Sequence, residues 1–156
     1  MPRRFPIRLL LPDWTDPRNV GAAFRLADAA GLAGIVLAGT TPRPPNAKIT
    51  KTARSTVRSV PYEEVTDAAA YLRARRSAGS PVLALEVTDS SQAIFTYTPP
   101  AGEIILVAGN ESTGVSPTLL DLCDRAVHLP MHGQNSSMNV SVALGAAVYL
   151  LLMKLQ

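Results

Sequence analysis

Between Ile104 and Met153 the chain twice follows an apolar run of strand length and twice breaks, at a glycine or a proline, into a polar loop. Ile104 to Ala108 ends at Gly109 and opens into Asn110-Glu111-Ser112-Thr113-Gly114. Ala126 to Leu129 ends at Pro130 and opens into Met131-His132-Gly133-Gln134-Asn135-Ser136-Ser137, after which a long helix of small and apolar residues begins. Packing alone does not require this pattern. An open α/β sheet holds a ligand this way, because loops at the carboxyl ends of its strands border the crevice.

The preceding residues supply the rest of such a sheet. Ile7 to Leu11 reads as a buried strand, followed by the turn Pro12 to Pro17 and a helix to Ala30, ended by Gly31. Asp16 caps that helix with Pro17 in its first turn, or Asn19 does with Pro17 left in the loop. Val20, Phe24, Ala27 and Gly31 fall on the face expected to pack on the sheet. Arg18, Gly21, Ala22 and Arg25 share another stripe, whose small residues are expected to leave an open floor between two charges. Ile35 to Ala38 is a second strand, Gly39 to Asn46 a proline-rich loop, and Val57 to Val60 a short strand. Thr66 to Ala78 reads as a helix with Asp67 early and Arg73, Arg75 and Arg76 late, the order that complements a helix dipole. Val82 to Val87 is a further strand, and Ile94 to Pro100 an extended connection. Strand and helix alternate throughout 156 residues, which indicates one α/β domain: a mostly parallel open sheet flanked by helices.

Other classes are set aside on composition. With 47% hydrophobic and 17% charged residues the chain is neither disordered nor fibrous. Its longest apolar stretch, Val142 to Met153, falls short of the ~20 residues a bilayer requires, and the opening MPRRFPIRLLLPD is too interrupted for a signal peptide. A single cysteine, Cys123, forms no internal disulfide, so a cytoplasmic protein with no membrane association is expected. No grouping of Cys, His and acidic residues suggests a metal, and His128 and His132 look unremarkable. The net charge of +3 is concentrated: from Thr40 to Tyr62 the chain carries Arg43, Lys48, Lys51, Arg54 and Arg58 with hydroxyl residues between them and no acid, a mixture suited to RNA phosphates.

Three segments carry a resemblance to a known family. Asn19-Val20-Gly21-Ala22-Ala23-Phe24-Arg25 resembles the first motif of the SpoU branch of the SPOUT RNA 2′-O-methyltransferases. Leu106 to Gly114 resembles the second, and Leu129-Pro130-Met131 with Ser137 to Ala143 the third. The likeness covers nearly the whole chain in one order. It implies a SPOUT-type fold with a C-terminal trefoil knot, a homodimer with its active site near the subunit interface, and S-adenosyl-L-methionine as methyl donor. By the same likeness Leu85, Gly109, Leu129, Met131, Ser137 and Met138 are the cofactor-binding residues, and Arg25, Asn19, Glu111 and Asn139 are catalytic. Glu111 and Asn139 are expected to fix Arg25 and the substrate ribose, and Asn19 to brace the loop.

The implied reaction moves a methyl group from a sulfonium to a ribose 2′-hydroxyl of tRNA or rRNA. A neutral hydroxyl is a poor nucleophile, so its proton must be taken or shared and the charge growing on oxygen stabilised. Arg25 matches the family's catalytic arginine, as base or as electrostatic stabiliser; a guanidinium accepts protons poorly, which favours the second role. No separate RNA-binding extension is recognised, so Arg18, Arg43, Lys48, Lys51, Arg54 and Arg58 are expected to grip the RNA. The loop after Gly109 lacks the Gly-Lys-Ser/Thr ending of a nucleotide P-loop. Two other readings are a non-catalytic RNA-binding protein that keeps the fold, and a base-directed methyltransferase. The first does not need Arg25, Glu111 and Asn139 together, and the first motif disfavours the second.

Overall fold

The computed structural model describes residues 4–155, so Met1 to Arg3 of the N-terminal stretch and Gln156 lie outside the described residues. Among the described residues seven strands form one sheet: β1 (Phe5–Pro12), β2 (Leu32–Ala38), β3 (Tyr62–Val65), β4 (Val82–Leu85), β5 (Gln92–Ala93), β6 (Ile104–Ala108) and β7 (Arg125–His128). Their spatial order is β3-β2-β1-β6-β4-β7-β5, and every neighbouring pair is parallel. Six helices accompany them: α1 (Pro17–Ala30), α2 (Ala47–Ala53), α3 (Thr56–Ser59), α4 (Ala68–Ser77), α5 (Pro117–Asp121) and α6 (Val140–Leu155). The chain lays β1, β2 and β3 outward in one direction, then crosses to build the other half on β6. The order therefore reverses between β1 and β6, and the crevice of such a sheet opens at the strand ends beside that reversal.

Both faces of the sheet are covered, which is why its central strands read as continuous apolar runs. Leu9, Leu11, Leu106 and Val127 pack with Val20 and Phe24 of α1 and Leu144, Val148 and Leu151 of α6. Leu10, Val36, Ile105 and Val107 face Leu72 of α4 and Leu119 of α5. Phe24 is fully buried, worth about 2–3 kcal/mol of transfer free energy, and its ring meets Tyr62 edge-on at 5.3 Å. Asp16 is the cap of α1, accepting the Arg18 N–H, and Pro17 occupies the first turn. Gly31 closes the helix at φ 65°, returning its N–H to Ala27 and Asp28.

Several expectations are corrected. Val57 to Val60 is not a strand: Thr56–Ser59 is a helical turn in which Val60 donates to the Thr56 carbonyl, and strand pairing starts only at Tyr62, after Pro61. Ahead of it lies α2, capped by the Asn46 side chain, which accepts from Lys48 and Ile49; the sequence reading treated this stretch only as a basic segment. Ile94 to Pro100 is not simply extended, since Ile94–Thr96 form a 3-10 turn beside β5. The last helix begins at Val140 rather than Ser137, and β4 ends at Leu85 rather than Val87. Two of the late arginines of α4 do more than complement its dipole: Arg75 pairs with Glu103 at 3.0 Å and Arg76 with Asp124 at 3.3 Å.

Candidate functional site

The carboxyl ends of β4, β6 and β7 converge on a cleft of about 840 Å³. Leu85, Gly109, Leu129, Met131, Ser137 and Met138, the six residues expected to hold a cofactor, all line it, as do Glu111 and Asn139. They come from three strand ends and the long loop after β7, so the sheet and that loop together assemble them. Glu86, Val87, Asn110, Leu120, His128 and Ala143 join them. His128 is thus a wall of the cleft rather than a bland strand-end residue.

One wall is the loop after β6, held in shape by its own polar groups. Asn110 and Gly114 face each other across a β-bridge, with Gly114 donating to the Asn110 carbonyl at 2.8 Å. The returning chain passes so near Gly109 that a Cβ there would lie 2.2 Å from Val115 N, so only glycine fits. Gly114 has φ 70°, and a Cβ on it would lie 2.2 Å from Glu86 Oε2. Glu86 in turn accepts from Val115 N at 2.8 Å and, through its other oxygen, from Val87 N at 3.0 Å. Its carboxylate ties the loop to the end of β4. The Asn110 side chain accepts from Ser112 N at 2.7 Å and donates to the Asp13 carbonyl, tying the same loop to the end of β1.

Glu111 does not bind Arg25 within the chain. Its Oε1 accepts from Thr15 N and Asp16 N, each at 2.8 Å, and from the Thr15 hydroxyl, so it fastens the loop to the turn that starts α1. Burial pushes the Glu111 carboxyl up, but the hydrogen bonds from the Thr15 hydroxyl and the backbone N–H groups outweigh it and hold the group below its ordinary range. Within the chain Asn139 Oδ1 accepts from Ser141 N at 2.9 Å and Val142 N at 3.3 Å, so it caps α6. The Asn19 side chain has no hydrogen-bond partner among the described residues, and within the chain the loop is braced by Asn110. Trp14, whose Nε1 donates to the Ala108 carbonyl at 2.8 Å while its backbone N–H bonds the Thr41 hydroxyl, completes the brace between β1 and β6.

Arg25 is exposed on α1 and lies outside the cleft lining, as does Asn19. The open floor expected at Gly21 is filled: Gly21 is buried where α1 crosses α2, and a Cβ would lie 1.8 Å from Thr52 Oγ1 and 2.8 Å from the Ile49 carbonyl oxygen. That contact sets α2 against the helix bearing Arg18 and Arg25. Arg18, Arg43, Lys48, Lys51, Arg54 and Arg58 are all exposed, on α1, α2, α3 and the loop before them. Arg43 reaches Glu64 at 3.2 Å and Arg18 reaches Asp16 at 3.4 Å. Arg54, between α2 and α3, stands at φ 57°, a strained position for a non-glycine residue.

The cleft's chemistry is one-sided. Its lining contains Glu86 and Glu111 but no lysine or arginine, and Leu85, Leu129, Met131, Met138 and Val140 give it apolar walls. Such a site suits a flat apolar ring and a positive charge, and repels phosphates. S-adenosyl-L-methionine, an adenine joined to a sulfonium, fits that description. Among the described residues no group of three or more His, Cys, Asp or Glu could hold a metal. No helix among them is long and apolar enough to cross a membrane. Of the residues sequence reasoning missed, Glu86 and Asn110 are sequence neighbours of Leu85 and Gly109, and the single tryptophan in a polar turn was the signal for Trp14.

Comparison with known proteins gives a consistent set. Residues 6–149 match the model of the SpoU rRNA Methylase family. The chain is 37% identical over 147 residues to the 23S rRNA (guanosine-2′-O-)-methyltransferase RlmB of Vibrio parahaemolyticus, covering 92% of this chain but 58% of that protein, so it spans less than two thirds of such curated relatives. Among solved structures it resembles the AdoMet-bound rRNA methyltransferase of Sinorhizobium meliloti, with TM-score 0.90 and 26% identity over 99% of this chain and 59% of that one. It also resembles a protein solved in work on 2′-OH methylation of C/U34 on tRNA, with TM-score 0.85 and 25% identity over 97% of this chain and 98% of that one.

Proposed function

The chain belongs to the SpoU rRNA Methylase family, and from that premise we propose that it transfers a methyl group from S-adenosyl-L-methionine to a ribose 2′-hydroxyl of RNA. The observation that carries this reading is the meeting of Leu85, Gly109, Leu129, Met131, Ser137 and Met138 in one cleft with carboxylates and no cation. When bound, the cofactor supplies an electrophilic methyl group on a positively charged sulfur. The residues of the chain do the rest. Leu85, Leu129 and Met131 exclude water, and Glu111 and Asn110 fix the loop edge to the start of α1. Arg25, brought to the substrate oxygen, stabilises its developing charge, since a guanidinium donates hydrogen bonds far more readily than it accepts a proton.

Arg25 is absent from the lining of its own chain's cleft, which supports a homodimer in which each cleft is completed by the arginine of the partner. The exposed apolar residues of α6 support the same arrangement: Val142 is 62%, Tyr149 47% and Met153 72% exposed. The knotted passage of the C-terminal segment, implied by the family resemblance, and a cytoplasmic place of work belong to this proposal. The basic face of α1, α2 and α3 is its RNA-binding surface. Ribosomal RNA is the substrate class named for the curated relatives, and tRNA the class named for a solved structure of matching length. Mass spectrometry of rRNA and tRNA nucleosides with and without the gene decides between them, and an unchanged 2′-O-methyl profile in both overturns the assignment. Arg25→Ala is expected to lower methyl transfer by at least ~100-fold while donor affinity stays within about twofold; ordinary turnover in that variant refutes its role.

A further inference from the structure

Glu86 follows the last residue of β4, the strand that lies between β6 and β7 in the sheet, and it bonds to both sides. Its backbone N–H donates to the Val127 carbonyl of β7 at 3.0 Å. Its side chain folds back so that Oε1 accepts from Val87 N at 3.0 Å, while Oε2 accepts from Val115 N at 2.8 Å, where the loop after β6 ends. The three strand ends that frame the cleft therefore meet at one residue, which itself lines the cleft. Glu86 lies outside the three segments that carry the family resemblance.

The position demands two acceptors. Val115 is 5% exposed, and among the described residues its N–H has no acceptor other than Glu86. A buried N–H without a partner is costly, so the Glu86 oxygen decides where the chain can run at Val115. The loop passes close on that side: a Cβ on Gly114 would meet the same Oε2. Glutamine has the same shape but one acceptor oxygen, so it can satisfy Val87 or Val115 and not both. Aspartate keeps the charge but is shorter by one carbon–carbon bond, about 1.5 Å, which takes a contact of 2.8 Å beyond hydrogen-bond reach. The loop so held carries Gly109, Asn110 and Glu111 of the cleft wall. A wall fixed before the ligand arrives removes the cost of ordering it on binding.

We propose that Glu86 is a positioning residue of the cofactor cleft, whose carboxylate sets the spacing between the end of β4 and the loop after β6 and thereby the affinity for S-adenosyl-L-methionine. The inference rests on the cofactor reading above and adds the residue that holds the wall. It is tested by calorimetry with S-adenosylhomocysteine, the demethylated form of the donor. Glu86→Gln and Glu86→Asp are each expected to weaken binding by about tenfold, the first lacking the second acceptor and the second the reach. Affinity is read on folded protein, so a role in stability alone leaves it unmoved. Val36→Ala, in the core between β2 and α4, destabilises the fold away from the cleft and should bind within about twofold of the parent. An equal loss there would mean that affinity follows stability, and would overturn the proposal. Unchanged affinity in either Glu86 variant also overturns it, for Glu86→Gln because the second bond is idle and for Glu86→Asp because charge alone suffices. Failure of the folded wild-type protein to bind the probe overturns the methyltransferase reading as well. Amide exchange followed by NMR is independent of binding: the Val115 N–H should exchange slowly in the wild type and about tenfold faster in Glu86→Asp, and equal rates refute the tie.

Discussion

Replacing Trp14 with phenylalanine tests whether the ends of β1 and β6 are bolted together by one buried bond. Trp14 is fully buried, and its indole N–H donates to the carbonyl of Ala108, itself 1% exposed and the last residue before Gly109. Phenylalanine fills most of the space but offers no donor, so the carbonyl is stranded away from water at a cost of about 1–3 kcal/mol. The lost ring atoms leave a void of roughly 40 Å³, adding about 1 kcal/mol at ~24 cal/mol per Å³. The sum is about 2–4 kcal/mol, or a fall in melting temperature of roughly 6–12 °C for a chain of this length. Far-UV circular dichroism during urea and thermal unfolding measures it, because the substitution removes the single tryptophan and its fluorescence. A melting temperature within about 2 °C of the parent would refute the reasoning, since it would mean that the carbonyl finds water or that the indole is held only by its shape.

Gly21→Ala places a methyl group where Thr52 and the Ile49 carbonyl already stand, so α2 must shift; we expect a loss of about 1–3 kcal/mol in urea unfolding together with weaker RNA binding, and unchanged stability would show the helix contact to be loose. Glu111, whose carboxyl is held below its ordinary value of 4.5, contributes stability that is present above that value and is lost as pH falls through the lower folded value. The acid limb of the stability–pH curve should therefore be shallower in Glu111→Gln, and identical limbs would count against the three hydrogen bonds. Burial pushes the Cys123 thiol up to about 12, so it should resist alkylation at pH 8 in the folded protein and react once urea unfolds it; rapid native-state labelling would contradict its packing.

The alternation of apolar runs and loops was enough to place β1, β6, α1 and the parallel sheet, because strands buried on both faces leave a signal in composition. Caps were equally legible: Asp16, Pro17 and Gly31 act where their chemistry predicts. The basic segment concealed α2 and α3, since Val57 and Val60 favour strand locally while the turn is held by Thr56 bonds to the Ala53 and Val60 backbone. That residues adjoining strand ends meet in one cleft was legible, but their hydrogen-bond partners were not. Glu111 and Asn139 had the polarity expected of them, yet their hydrogen bonds go to the Thr15–Asp16 turn and to the first turn of α6. Spacing along the chain identifies which residues reach a crevice and says little about which backbone donors await them. The cost of Gly21 was misjudged for the same reason: a small residue on a helix marks either open space or close contact, and only the position of Thr52 decides.

The pairing of β1 with β6 has a consequence for synthesis. Trp14 and Ala108, which meet across the carboxyl end of the central seam, are 94 residues apart in the chain. On a ribosome the trio of β3, β2 and β1 emerges long before Ile104 to Ala108, and β1, apolar along Leu9 to Leu11, waits with one rim bare. An unpaired apolar rim is a template for the same strand of another nascent chain. Slow elongation through the middle of the message should therefore favour clumping over yield, and a chaperone that shields the first forty residues should reverse it.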